Sequence, residues 1–364
     1  MTITLTVDDL ITSGIRVISE GQAPSGGYIA SPAFSQYGFA WLRDGSYCAL
    51  AMDAVGEADS AAAFHAWVAR TITGQRARIA DIVTRLDRGE TVPSRDMLPT
   101  RYTLAGAVEP EAEEWPNFQL DGYGTWLFAL HSHLGGRSPG DLSDAIVLAA
   151  DYLRAAWRVP CYDYWEESGD RRHTSTLASI AAGLRGASRM LGDLSLDALA
   201  DEVVADLRKT CVHDGAFVKG PDDDRVDASL ISLATPFGIV PADDPAMLAT
   251  IARIRTELAS PSGGIRRYLG DTYFGGNPWH LLTAWLGWHD RVTGNTSGRE
   301  HARDWVLAHG SPGARLAEQL TTEPQAADFV QPWIDRWGPV ADPLLWSHAK
   351  FLLLESDAQV TVWR

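Results

Sequence analysis

Segments with helical periodicity follow one another along almost the whole chain, and runs of strand periodicity are scarce. A dozen or more helices joined by connections of ordinary length point to a toroid of paired helices or to an α-solenoid. Helical patterns lie near 45–55, 58–72, 75–88, 121–134, 141–157, 175–191, 194–209, 226–234, 299–309 and 313–320. Three Asx-Pro pairs, Asp244-Pro245, Asn277-Pro278 and Asp342-Pro343, read as further helix starts. Each places a capping side chain at N-cap and proline at N1, where the missing N–H costs nothing. The first of these helices has to stop near Ser260, because Pro261-Ser262-Gly263-Gly264 cannot continue it. Gly135-Gly136 and Gly192 are stops of the glycine type. With no boundary-like linker and no exact sequence repeat, the even spacing favours a single helix-pair toroid, one domain over residues 1–364. Two longer connections, Thr91 to Phe118 and Thr321 to Ala341, exceed the length at which structureless loops are common, about 12–15 residues. They carry Trp115, Trp333 and Trp337 and are expected to be ordered loops packed over a site.

Composition narrows what such a toroid binds. The 47 Asp+Glu outnumber 31 Lys+Arg, giving a net charge of −16, and no basic run is present. A nucleic-acid or anionic-membrane partner is therefore excluded. No apolar run has the length of a spanning helix, and Met1-Thr2-Ile3-Thr4-Leu5-Thr6 does not read as a signal peptide, so a cytoplasmic location is expected. Cys48, Cys161 and Cys211 are far apart and read as reduced, structural thiols. His131 and His133 at i, i+2 do not share a helix face, and no HExxH is present, so neither metal nor cofactor is expected. The chain also lacks GxSxG, GxxxxGK[ST] and a strand-anchored GxGxxG. Of its 14 Trp, those at 126, 285 and 288 sit on helical patterns and read as core.

Four segments carry candidate chemistry. In Asp163-Tyr164-Trp165-Glu166-Glu167 an indole abuts two carboxyls in a turn-like setting, and burial against it keeps a carboxyl protonated for acid catalysis. Adjacent residues diverge in direction, so a partner carboxylate has to come from elsewhere. The same acids also read as a solvated turn. Tyr37-Gly38-Phe39-Ala40-Trp41-Leu42-Arg43-Asp44 offers aromatic surface beside a donor fork and an acceptor, which suits the C–H faces and vicinal hydroxyls of sugars. Asp44 equally reads as the cap of helix 45–55, paired with Arg43. Gly264-Ile265-Arg266-Arg267-Tyr268 leads through Asp271 to Asn277-Pro278-Trp279, again an arginine and aromatics ahead of a helix start. Leu316-Ala317-Glu318-Gln319 sets an acid in apolar company, or on an exposed helix face.

In this order the segments resemble the glucoamylase-like glycoside hydrolases of family 15. Tyr37 to Asp44 resembles the family's first sugar-binding motif, Gln119-Leu120-Asp121-Gly122 its second, and Trp165-Glu166-Glu167 its general-acid motif. Gly264 to Tyr268 with Asn277-Pro278-Trp279 is similar to the third sugar motif, and Leu316 to Gln319 followed by Leu345-Trp346-Ser347-His348-Ala349 to the general-base segment. The resemblance implies an all-α fold, an (α/α)6 barrel with its site at the N-terminal rim of the inner helices. It also implies exo-acting hydrolysis of an α-glucosidic bond with inversion, Glu166 as acid and Glu318 as base. Arg43, Asp44 and Arg267 would hold the terminal glucose and Tyr37 and Trp41 would line its subsite. Glu167 would contact the next sugar, and Gln119, Asp121, Trp165 and Trp279 complete the substrate-binding set.

Bacterial relatives often carry an N-terminal β-sandwich domain; with the first motif at Tyr37, none is expected here. The long 321–341 loop favours a short α-glucoside, isomaltose or an isomalto-oligosaccharide, over starch. An α-1,4-glucosidase or trehalase of the same family, or a carbohydrate-binding toroid without catalysis, are the alternatives. A terpenoid-cyclase-like toroid would need acidic metal motifs in an apolar cavity, and only the loop Asp222-Asp223-Asp224 offers one.

Overall fold

Helices alternate between an inner and an outer ring in the computed structural model, which describes residues 5–109 and 118–357. In chain order they are α1 (Val7–Glu20), α2 (Leu42–Ala54), α3 (Ala58–Gly74), α4 (Arg76–Asp87) and α5 (Asp121–Leu134). Then follow α6 (Ser143–Ala156), α7 (Thr174–Leu191), α8 (Leu194–Thr210) and α9 (Pro245–Glu257). The last four are α10 (His280–Thr293), α11 (Thr296–His309), α12 (Val330–Trp337) and α13 (Leu345–Glu355). Residues of α2, α5, α7, α10 and α13 are buried along nearly the whole of each helix, whereas α1, α3, α6, α8, α9 and α11 bury one stripe. Fully apolar helices face neighbours on every side, and amphipathic ones cover them.

The inner elements pack in a closed cycle: α2 on α5, α5 on α7, α7 on the 3-10 turn Ala228–Leu233, that turn on α10, α10 on α13, and α13 back on α2. With the six amphipathic helices outside, this is the expected (α/α)6 barrel. Between α5 and α7 the backbones come so close that a Cβ on Gly183 would meet Gly124 at 2.6–3.0 Å, which requires glycine there. Trp126, Trp285 and Trp288 are buried in the core, and all three cysteines are buried and unpaired. The ring closes by contacts between early and late segments. Leu345 N donates to Ala30 O at 3.1 Å, Ser31 Oγ donates to Pro343 O at 2.7 Å, and Tyr47 stacks on Trp346 at 5.6 Å.

Several expected elements differ. α1 lies where no helix was expected; its signal is a capping box in which Asp9 N donates to Thr6 Oγ1 at 3.2 Å and Thr6 N to Asp9 Oδ2 at 2.9 Å. Asp244-Pro245 opens α9 as expected, with Ala246 N donating to Asp244 Oδ1 at 2.9 Å. Asn277-Pro278 and Asp342-Pro343 do not open helices. α10 and α13 start after Trp279 and Leu344, which are extended, and the Asn277 side chain instead bonds Phe274 O and Glu323 N. The 226–234 helix is the 3-10 turn. Residues 313–320 are not helical: Gly313 and Ala314 form a turn closed by the Ser311–Arg315 bridge, and the rest is held by Trp279, which bridges both Ile265 and Gln319, by Leu320 N donating to Pro278 O, and by Glu318 N donating to Ala341 O at 2.9 Å. α2 begins at Leu42, so Asp44 lies in its first turn and does not cap it.

Of the two long loops, 91–109 is tethered by β2 (Arg101–Tyr102), antiparallel to β1 (Ala40–Trp41). Trp115 lies outside the described residues. The 321–341 loop contains α12. No helix among the described residues is long and apolar enough to cross a membrane.

Candidate active site

Chain segments that enter the inner elements meet at one rim around a cavity of about 470 Å³. Ten of the twelve expected residues line it: Tyr37, Trp41, Arg43, Asp44, Trp165, Glu166, Glu167, Arg267, Trp279 and Glu318. Gln119 and Asp121 do not. Both are fully buried behind Arg43, whose Nη1 donates to Gln119 Oε1 at 3.2 Å and to Asp121 Oδ2 at 3.1 Å. Their place is that of supports for the guanidinium, which also bonds Asp44 Oδ1 at 3.1 Å and lies 5.1 Å from the Trp346 ring centroid.

Glu166 sits in a tight turn built by Asp163. Oδ1 of Asp163 accepts from Trp165 N and Glu167 N, both at 2.9 Å, while Glu166 N donates to Asp163 O at 3.0 Å. Asp163 is itself anchored by Lys219, 2.8 Å away, which also pairs with Asp227 at 3.2 Å; Asp227 in turn accepts from Trp165 Nε1 at 2.8 Å. The turn gives Glu166 a left-handed φ of 66°, a conformation that costs a non-glycine residue about 1–3 kcal/mol and persists only where the surroundings enforce it. As a result the adjacent acids separate. Glu166 Oε1 accepts from Trp41 Nε1 at 2.6 Å, whereas Glu167 bonds Arg267 at 3.1 Å and the Tyr268 hydroxyl. Burial pushes the Glu166 carboxyl up, against the pull of Arg43, Arg101 and the Trp41 bond.

Glu318 lies between α11 and α12, in a segment bonded through Glu318 N to Ala341 O just ahead of α13. Its Oε1 accepts from Tyr37 OH at 2.7 Å, and that hydroxyl lies 2.9 Å from Tyr273 OH. Its Oε2 is buried without a hydrogen-bond partner among the described residues. Burial pushes the carboxyl up to about 7, opposed by the Tyr37 bond and by Arg267. Tyr37 and Trp41, the donors to the two acids, have ring centroids 5.6 Å apart. Asp44 is likewise raised by burial, to about 6, with Arg43 as the main opposing charge. Arg267 is fixed by Asp271, to which Nε donates at 2.7 Å, and lies over Trp165, Tyr273 and Trp279 at 5.1–5.4 Å from their centroids. Buried carboxyls beside oriented arginines and aromatic faces have the chemistry that proton transfer on a polar, hydroxyl-bearing ligand requires.

Comparison with known proteins identifies the family of the chain. The profile of glycosyl hydrolases family 15 matches residues 10–334. The chain belongs to family 15. It is 38% identical over 351 residues to the isomaltose glucohydrolase of Kribbella flavida, covering 94% of this chain and 90% of that one. The solved structure of a wild-type glycosidase superposes with a TM-score of 0.91 at 36% identity, over 96% of this chain and 95% of that one. A bacterial glucoamylase complexed with acarbose shares the fold at a TM-score of 0.73 and 20% identity, over 95% of this chain and 55% of that one.

This family 15 chain is thus a glycoside hydrolase of glucoamylase-like fold. Beyond the expected residues, its cavity is lined by Arg101, Tyr273, Trp346 and, from the 321–341 loop, Trp333, Arg336 and Trp337. The tryptophans of that loop were legible as candidates to cover a site. Arg101 and Tyr273 were not, since no local pattern marks them, and neither was Lys219, whose work of holding the acid turn depends on a long-range ion pair.

Proposed function

We propose that this family 15 hydrolase is an exo-acting, inverting α-glucosidase that releases β-glucose from the non-reducing end of short α-glucosides, with isomaltose and isomalto-oligosaccharides preferred. The observation that carries this reading is the pair of buried glutamates at one cavity, each held by its own aromatic donor. Glu166 precedes α7, Glu318 is bonded to Ala341 at the entry to α13, and α7 and α13 are opposite members of the six-membered inner ring. Carboxyls that approach from opposite sides suit inversion, which needs room for a water between acid and base. Glu166 protonates the glycosidic oxygen as its bond to the anomeric carbon breaks. Glu318 takes a proton from water through its unpaired Oε2, and the water oxygen bonds to the opposite face of that carbon. Arg43, Asp44 and Arg267 hold the terminal glucose hydroxyls, Tyr37, Trp41, Trp165 and Trp279 contact its apolar faces, and Glu167 reaches the next sugar. Gln119 and Asp121 fix Arg43 for that task. α12 of the 321–341 loop sets Trp333, Arg336 and Trp337 over the cavity, which favours a disaccharide over a polymer.

Release of glucose from isomaltose, maltose, trehalose and soluble starch, with the anomer followed by polarimetry or NMR, tests the assignment. Isomaltose is expected to be turned over fastest, with β-glucose as first product. Faster turnover of starch, or α-glucose first, overturns it; trehalose fastest selects the trehalase alternative.

Both carboxyls are raised by burial, so both limbs of the pH profile of kcat/KM are expected above the ordinary glutamate range and to belong to the coupled pair. Tyr37 donates to the ionised form of Glu318 and so lowers its pKa. Tyr37→Phe removes that bond, the pKa rises, and the ionised base is lost at a higher pH. The expected result is an acid limb moved up by about one pH unit, with kcat/KM about tenfold lower. An unmoved limb would show that Tyr37 does not act on the base.

A further inference from the structure

At the other end of the barrel, three helices bring together side chains that the sugar chemistry does not use. Asp53 lies in the last turn of α2, His65 on α3 and His133 in the last turn of α5, and one ligating atom from each lies within 4.8 Å of the others. His133 Nδ1 is 2.9 Å from Asp53 Oδ1 and 3.0 Å from Oδ2, and the two imidazole centroids are 5.0 Å apart. From Asp44 at the rim to Asp53 the helix advances nine residues, about 14 Å at 1.5 Å per residue, so this cluster is separate from the cavity.

An Asp–His pair is self-sufficient, but His65 is not explained by it. It is 1% exposed, and neither ring nitrogen has a hydrogen-bond partner among the described residues. Buried polar groups in this condition are rare in folded proteins and call for a ligand, an ion or water.

We propose that Asp53, His65 and His133 form a binding site for a divalent transition metal of the zinc class. Two imidazoles and one carboxylate are a ligand set that zinc takes with a fourth position left to water, and they disfavour magnesium or calcium, which prefer all-oxygen shells. Four-coordinate ligands at about 2.0–2.2 Å from zinc stand about 3.3 Å apart, so binding leaves His133 and Asp53 close to their present spacing and draws His65 in toward them. The side chains of Asp53 and His133 are 24% and 10% exposed, which leaves a way in from solvent. The site joins inner helices α2 and α5 to outer helix α3, and its effect is on stability.

The test is titration of the chelator-treated chain with zinc chloride and cobalt chloride, with magnesium chloride as control. One zinc per chain at sub-micromolar Kd is expected, with a Tm raised by several degrees and a cobalt absorption spectrum of four-coordinate intensity. His65→Leu and Asp53→Asn are each expected to weaken zinc binding at least about 100-fold and to abolish the Tm response, while isomaltose turnover stays unchanged. Asp53 is partly exposed, so its variant remains informative even if the His65 variant does not fold. Binding well below one zinc per chain, no rise in Tm, or undiminished binding in the variants would overturn the proposal and leave an adventitious surface ion only.

Discussion

Glu166→Gln is expected to lower kcat on isomaltose by about 10²–10⁴-fold while KM changes little. The amide keeps the shape of the acid and can still accept the Trp41 bond, so the turn from Asp163 to Ser168 is preserved and the loss isolates the missing proton. A leaving group that needs no proton separates this role from a structural one. α-Glucosyl fluoride expels fluoride unaided, and its hydrolysis by the variant is expected to fall far less than that of isomaltose. Equal losses on the two substrates would remove Glu166 from the acid role.

Glu318→Ala is expected to cost a comparable factor, about 10²–10⁴-fold, on both substrates, because water must be activated whatever leaves. The substitution also opens space beside Tyr37. Added azide needs no general base, so with α-glucosyl fluoride the variant is expected to recover turnover and form β-glucosyl azide: the nitrogen bonds to the anomeric carbon as fluoride leaves. The anomer of that product reports the face of attack independently of the hydrolysis assay. Retention of more than a tenth of wild-type kcat by Glu318→Ala would place the base elsewhere.

Much of the helical scaffold was readable from local chemistry. Asp121–Leu134 ends at Gly135 and Thr174–Leu191 at Gly192, each glycine in the left-handed conformation that stops a helix, and Asp244-Pro245 opens α9. The failures share one cause, that longer-range bonds outcompete a local preference. Asn277 bonds Phe274 and Glu323 with its side chain instead of capping, and the 315–320 segment is kept out of a helix by its bridge to Trp279 and its bond to Ala341. The cavity residues were legible where they precede inner helices in compact motifs, as at Tyr37 to Asp44 and at Trp165 to Glu167. Gln119 and Asp121 belonged to such a motif as well, but only packing reveals that Arg43 stands between them and the cavity. Arg101, Tyr273 and the Lys219 anchor carry no local signal, and no spacing rule finds a residue whose partner lies dozens of positions away. The same limit applied to histidine. His131 and His133 are neighbours in sequence, whereas the neighbours of His133 in space are Asp53 and His65, on other helices.

The join between α13 and α2 has a consequence for assembly. Tyr37 and Arg43 come from the early part of the chain, while Glu318 and Trp346 come from the late part, so the cavity acquires its second acid and part of its wall only when the last inner helix docks. Contacts this distant in sequence form late and slowly. A chain emerging during synthesis therefore holds most of its helices before it holds any site. Loosening of that one seam would silence the enzyme while circular dichroism still reported a folded protein, which makes turnover a more sensitive gauge of ring closure than helicity.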